Sequence, residues 1–215
     1  MTQPIRLHDY FRSSAAYRVR IGLHLKGVAY ESVPVDLRHG AQAEPGYRAL
    51  NPQGLVPALE MEGQVLTQSL AILDYLDARF PEPPFAPRDP AARAHVLAMA
   101  LAIACDIHPI DNLRVLRYLK NDMGQSQDVI DAWYIHWISE GLNALEALAI
   151  AYAGPYLSGE TPGLADICLV PQLYNARRFG MDLAAWPTLM AMDAKLTALP
   201  AFIASHPDKW APADA

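Results

Sequence analysis

Two serines, Ser13 and Ser14, stand immediately ahead of a run that reads as a helix, and they are the first residues of the chain with a chemical use beyond packing. The opening turn of a helix carries N–H groups without intrahelical partners and the positive end of the helix dipole, so hydroxyls at that place can hold an anion. A thiolate suits such a site, because hydrogen bonds to the ionised form lower a thiol's pKa from its ordinary value of about 8.5. A serine in front of a helix also serves as a plain N-cap, so both readings of Ser14 stand on these residues alone. Tyr10, at the end of the preceding strand, could offer the same hydrogen bond, although packing is the commoner use of a strand-end tyrosine. A thiol of the chain's own is excluded here: where a dithiol fold carries Cys-x-x-Cys, this chain reads Ser13-Ser14-Ala15-Ala16.

The charges say more in detail than in sum. Seventeen Lys plus Arg against twenty-three Asp plus Glu leave a formal net charge of -6, with no basic stripe to neutralise phosphates, so neither nucleic acid nor an anionic membrane is an expected partner. Thirteen of the basic residues are arginine and four are lysine. The planar guanidinium fork is the better match for carboxylates. Only Cys105 and Cys168 are present, both read as buried in apolar helices, which rules out a disulfide scaffold or a four-cysteine zinc site and fits a reducing cytoplasm. Arg6, His8, Asp9, Arg12 and Arg18 break up the first twenty residues, so no export signal is read there. The longest apolar run, Val96 to Cys105, has ten residues, against the roughly 20 that cross a bilayer.

These residues need elements to hold them. Pro4 to His8 reads as a strand, Ala15 to Lys26 as a helix stopped by Gly27, and Tyr30 to Val35 as a second strand. Pro45 to Leu50 follows as a short helix, Pro57–Met61 and Gln64–Thr67 as a hairpin turning at Glu62-Gly63, and Ser69 to Phe80 as a third helix. The order βαβαββα outlines an α/β, thioredoxin-like domain over residues 1–82. Pro81, Pro83, Pro84, Pro87 and Pro90 mark a linker over 83–90. Residues 91–215 read as an all-α domain: Ala91–Leu119, Gln127–Tyr152, Leu164–Phe179, Thr188–Leu196 and a last short helix near Ala201–His206, before a small, polar tail.

Five separated motifs then match one family. Phe11-Arg12-Ser13-Ser14-Ala15-Ala16-Tyr17-Arg18-Val19-Arg20-Ile21 resembles the signature of the zeta-class glutathione transferases, which include the maleylacetoacetate and maleylpyruvate isomerases. The resemblance continues through Leu50-Asn51-Pro52-Gln53-Gly54-Leu55-Val56-Pro57-Ala58-Leu59 and Gln68-Ser69-Leu70-Ala71-Ile72. It extends into the helical region at Asp106-Ile107-His108-Pro109-Ile110-Asp111-Asn112 and Leu169-Val170-Pro171-Gln172. Five motifs in order span most of the chain and carry a weight that none has singly. Two departures stand out. The signature's usual cysteine is Ala15, and the helix near Leu164 has Gly163 where transferases carry a Ser or Thr cap ahead of a structural Asp, here Asp166.

The resemblance implies the glutathione transferase fold, glutathione as cofactor, a homodimer, and cis-trans isomerisation of a maleyl dicarboxylate in aromatic catabolism. It implies that Ser14, with Ser13 and Arg12, forms the catalytic group, and that Gln53, Val56 of a cis-proline turn, Gln68, Ser69, His108 and Asn112 complete the cofactor site. Arg12, Arg114 and Arg178 would take the substrate carboxylates. A transferase that conjugates electrophiles or reduces peroxides, and a non-catalytic interaction module of the same fold, are the alternatives.

Overall fold

A four-residue strand, β1 (Arg6–Asp9), runs beside β2 (Glu31–Pro34) in parallel, Leu7 opposite Ser32, and the chain crosses between them through α1 (Ser14–Leu25). A parallel pair needs such a crossover, and a helix is its usual form. Three-quarters of α1 is buried, including Ala16, Tyr17, Val19, Ile21 and Leu23, so the helix is held by its packing. After α2 (Pro45–Leu50), the hairpin β3 (Ala58–Met61) and β4 (Gln64–Thr67) pairs with β1 through β3, antiparallel, Leu7 opposite Leu59. The sheet order is β2-β1-β3-β4, which puts β1 in the interior and closes the expected βαβαββα pattern with α3 (Ser69–Arg79). In this computed structural model residues 4–212 are described; most of the small, polar tail after Trp210 lies outside them.

The second unit is helical: α4 (Pro90–Leu101), α5 (Leu113–Asn121), α6 (Gln127–Tyr152), α7 (Leu164–Arg178) and α8 (Pro187–Thr197). Its centre is α7, which is buried on every side from Leu164 to Leu173, as expected of a helix without a polar face. The Asp166 carboxylate accepts the N–H groups of Leu157, Ser158 and Gly163 at 2.9 to 3.0 Å, a structural role that ties the preceding loop to the helix start.

Three expectations are corrected. The helix expected over Ala91–Leu119 is broken: α4 passes into a π-helical turn, Ala102–Ile107, and a new helix begins at Leu113. Pro109 cannot donate into a helix ladder, and Asn112 caps the restart with its Oδ1 on the Arg114 N–H at 3.1 Å. The terminal helix, α9 (Pro200–Ser205), does not join the helical unit. It packs on α1, so the structure divides into residues up to Pro84 with those from Ala198 onward, and Phe85–Thr197. Composition could not show this, because a short apolar helix reads alike against any partner. Finally, Cys168 is buried but Cys105, in the π-helical turn, is exposed. That turn also lengthens α4 into an 18-residue apolar stretch, Pro90–Ile107, long enough for a bilayer by composition although it carries Arg93, His95 and Asp106; in this unit it packs with α6 and α7.

Candidate active site

The start of α1 separates the two readings of its serines. The chain turns after β1 with the Ser13 N–H donating to the Tyr10 carbonyl at 2.8 Å. Ser13 takes an extended backbone, and its Oγ accepts the Ala16 N–H at 3.2 Å, so Ser13 is the N-cap. Ser14 is the first residue inside the helix and is 2% exposed. Capping is therefore not its task. Tyr10 lies edge-on to Phe11, ring centroids 5.0 Å apart, which is the packing role. Arg12 is exposed, with its guanidinium carbon 4.9 Å from the Phe11 centroid, a cation-π contact that sets its direction.

The loop before β3 and the start of α3 form a second cluster in the same unit. Tyr47 and Asn51 both donate to the Leu55 carbonyl, at 2.6 and 2.7 Å, and hold the segment that ends in a cis Val56-Pro57 bond. The β1–β3 ladder stops at Ala58, so Val56 lies beyond it. Gln68 has φ +68°, a left-handed conformation rare for a side-chain-bearing residue, of the kind that costs about 1–3 kcal/mol and collects at ligand clamps. Its amide donates to the Gln53 Oε1 at 2.7 Å. Ser69 then opens α3, buried, with its hydroxyl taking a 3.4 Å hydrogen bond from the fully buried Arg18. Gln53, Gln68 and Ser69 are thus one group at a helix start with a cation behind it, an arrangement suited to a carboxylate.

In the helical unit, His108 ends the π-helical turn and Asn112 caps α5 with its oxygen, which leaves the amide NH2 as donor. Arg114 stands exposed in the first turn of α5, not on one long helix with His108 as the sequence suggested. Arg178 ends α7, also exposed, and makes no ion pair among the described residues, whereas its neighbour Arg177 pairs with Asp193. Tyr134 of α6 stacks on Phe179, centroids 3.5 Å apart and planes 13° from parallel. Burial pushes its phenol up, with Asp111 adding to the shift and Arg178 opposing it, so the three form one electrostatic group.

Asp111 is the residue that sequence reasoning passed over. It is 7% exposed, neither carboxylate oxygen has a hydrogen-bond partner among the described residues, and burial raises its pKa to about 7. Trp133 anchors its loop by donating to the Ile110 carbonyl at 3.0 Å. Its place in a motif was legible in the sequence; its burial opposite α6 was not. A cavity of about 360 Å³ opens at the start of β1 and the β3–β4 turn, lined by Arg6, Glu31, Glu60 and Glu62, and holds none of these groups.

A profile of the glutathione S-transferase N-terminal domain matches residues 12–79. A probable maleylacetoacetate isomerase of Vibrio cholerae is 47% identical over 205 residues, 94% of this chain and 95% of its own length. Among solved structures, the holo structure of a maleylpyruvate isomerase, a bacterial zeta-class glutathione S-transferase, has TM-score 0.94 and 43% identity, and covers 98% of this chain and 100% of that one. A maleylacetoacetate isomerase of Anaeromyxobacter dehalogenans, 42% identical with TM-score 0.87 and full coverage of both chains, carries dicarboxyethyl glutathione and citrate in its active site.

Proposed function

The chain belongs to the zeta class of the glutathione transferase family, with the maleylacetoacetate and maleylpyruvate isomerases, and from this we propose that it is a glutathione-dependent cis-trans isomerase of a maleyl diacid, maleylacetoacetate or maleylpyruvate. The carrying observation is the dicarboxyethyl glutathione held by a 42% identical relative. That molecule is what results when a glutathione sulfur adds across the double bond of a four-carbon diacid.

The residues support each requirement of that chemistry. A thiol of pKa about 8.5 is only a few per cent ionised at neutral pH, and each unit of depression is worth about 1.4 kcal/mol. Ser14, relieved of capping by Ser13, donates to the thiolate, with the N–H groups that open α1 behind it. Gln68 and Ser69 take the γ-glutamyl carboxylate, Gln53 steadies Gln68, and the Val56 backbone pairs with the cysteinyl unit as an added strand would. His108 and the Asn112 amide complete the cofactor site. Arg12, Arg114 and Arg178 bind the carboxylates and the developing enolate of the substrate.

The thiolate attacks the alkene carbon next to the terminal carboxylate. A C–S bond forms as the π electrons move to the ketone oxygen, giving an enolate. Rotation about the new single bond follows. The enolate then collapses, the C–S bond breaks, and thiolate leaves with the trans product. No proton, redox equivalent or sulfur is consumed, so no further base is required, and Ala15 in place of the signature cysteine is no handicap because the reacting sulfur is glutathione's.

Reliance on reduced glutathione suits the reducing cytoplasm. A homodimer is the proposed assembly. Only 28% of the apolar stretch Pro90–Ile107 is buried in one chain, which supports a second copy covering it; sedimentation equilibrium returning a monomer at micromolar concentration would remove it. The function is tested by assaying both maleyl diacids and a chlorinated aromatic, with and without glutathione. Glutathione-dependent fumaryl product is expected. Rapid conjugation of the aromatic with no fumaryl product would make the chain a general transferase, and absence of glutathione binding by calorimetry would leave an interaction module.

A further inference from the structure

Arg20 lies in the interior of the sheet unit, and each nitrogen of its guanidinium has a separate use. Nη1 donates to both Asp9 carboxylate oxygens at 2.8 and 2.7 Å, Nη2 to the Phe11 carbonyl at 3.0 Å, and Nε to the Ser205 carbonyl at 3.1 Å. Its side chain is 0% exposed and that of Asp9 3%. The Asp9 carboxylate also accepts the Tyr10 N–H. Asp9, Tyr10 and Phe11 are therefore held in succession by one cation, directly or through its counter-ion, and the next three residues are Arg12, Ser13 and Ser14. The third partner residue, Ser205, comes from α9, 185 residues away. The rings of Tyr17 and Trp210 stand 5.2 and 5.9 Å from the guanidinium carbon and complete its enclosure.

A buried ion pair of this kind gives little net stability, because desolvation offsets the Coulomb gain. Its effect is on geometry: a rigid fork fixes direction where a point charge would not. We propose that Arg20 is a positioning residue for thiol activation, which sets the Tyr10–Ser13 turn and makes the carboxy-terminal helix α9 part of the machinery that aims Ser14. The idea rests on the reading of Ser14 as the thiol's hydrogen-bond donor. The guanidinium does not touch the cofactor; it acts through the turn.

The test is Arg20→Lys in the full chain. Lysine keeps the charge but cannot reach the two carbonyls and the carboxylate together. The thiol pKa of bound glutathione is read from thiolate absorbance near 240 nm with no second substrate present, alongside the melting temperature and isomerase kinetics. Arg20→Lys is expected to raise the bound thiol's pKa by about one unit, and to lower kcat at pH 7 about tenfold, with KM for the maleyl diacid unchanged. Asp9→Asn, which leaves the Phe11 and Ser205 bonds in place, should shift both in the same direction by less, and it carries the test if the lysine variant does not fold. A folded variant with the wild-type thiol pKa and only a lower melting temperature overturns the proposal and makes Arg20 a core strut. If the wild-type chain binds glutathione without depressing its thiol, the reading of Ser14 falls first and this one with it.

Discussion

Ser158 caps the helix that Gly163 opens. Its Oγ accepts the Ala165 N–H at 3.1 Å, the bond a serine at the cap position would make for itself. Glycine at 163 is imposed by close approach: a Cβ there would fall 2.3 Å from the Phe85 carbonyl oxygen and 2.8 Å from the Ser158 Cβ, and that same carbonyl takes the Leu164 N–H at 2.7 Å. The missing cap hydroxyl of the family pattern is thus supplied from the preceding loop.

Restoring the family residue should therefore harm this chain. Gly163→Ser must displace Phe85 or Ser158 and is expected to destabilise more than Ser158→Ala, whose loss of a cap costs about 1 kcal/mol. Urea midpoints measure both. A stabilised Gly163→Ser would refute the assignment of the cap to Ser158.

The two serines of α1 should separate in kinetics. Ser13→Ala is expected to cost about 1 kcal/mol of stability as a lost cap, with a smaller effect on turnover. Ser14→Ala should raise the bound thiol's pKa and lower kcat about tenfold for each unit. The pH dependence of kcat reads the difference, and an unaltered profile in Ser14→Ala moves the role to Tyr10 or to the backbone N–H groups.

Arg114→Ala and Arg178→Ala act on the substrate side. A charge-assisted hydrogen bond contributes about 1.5–3 kcal/mol, so each should raise KM for the maleyl diacid on the order of 10- to 100-fold, with little change in glutathione affinity. Steady-state kinetics with varied diacid decide it. Unchanged constants in both variants would remove the dicarboxylate argument.

Asp111 should leave a mark on stability against pH. Its pKa rises from 3.8 unfolded to about 7 folded through burial, so between these values the folded chain holds a proton that the unfolded chain has released. Stability from this group is full below about pH 4, declines as pH rises, and is gone above about 7. Tyr134 and Arg178 are the groups that share its surroundings. Asp111→Asn, which cannot ionise, is expected to match the wild type near pH 4.5 and exceed it at pH 8. Parallel curves for the two proteins would contradict the assignment.

Much of this molecule was legible in one dimension. The strand and helix order of the first eighty residues, the proline-rich boundary, the hydroxyls ahead of α1 and the five motifs all depend on local chemistry: turn residues, caps, and the spacing of apolar side chains. The family resemblance, read from the same residues, also implied that the reactive sulfur is glutathione's, with Ala15 where the signature has a cysteine. What tertiary structure decided is which groups share a partner. Ser13 or Ser14 as cap depends on one backbone angle. The fit of Gly163 depends on a carbonyl 78 residues away in the chain order, at Phe85. The end of the chain packs on its beginning through Arg20, and the Asp111 carboxyl is pushed up to about 7 only by its burial in the folded chain. Such contacts join positions far apart in sequence, and no local pattern encodes the distance between them.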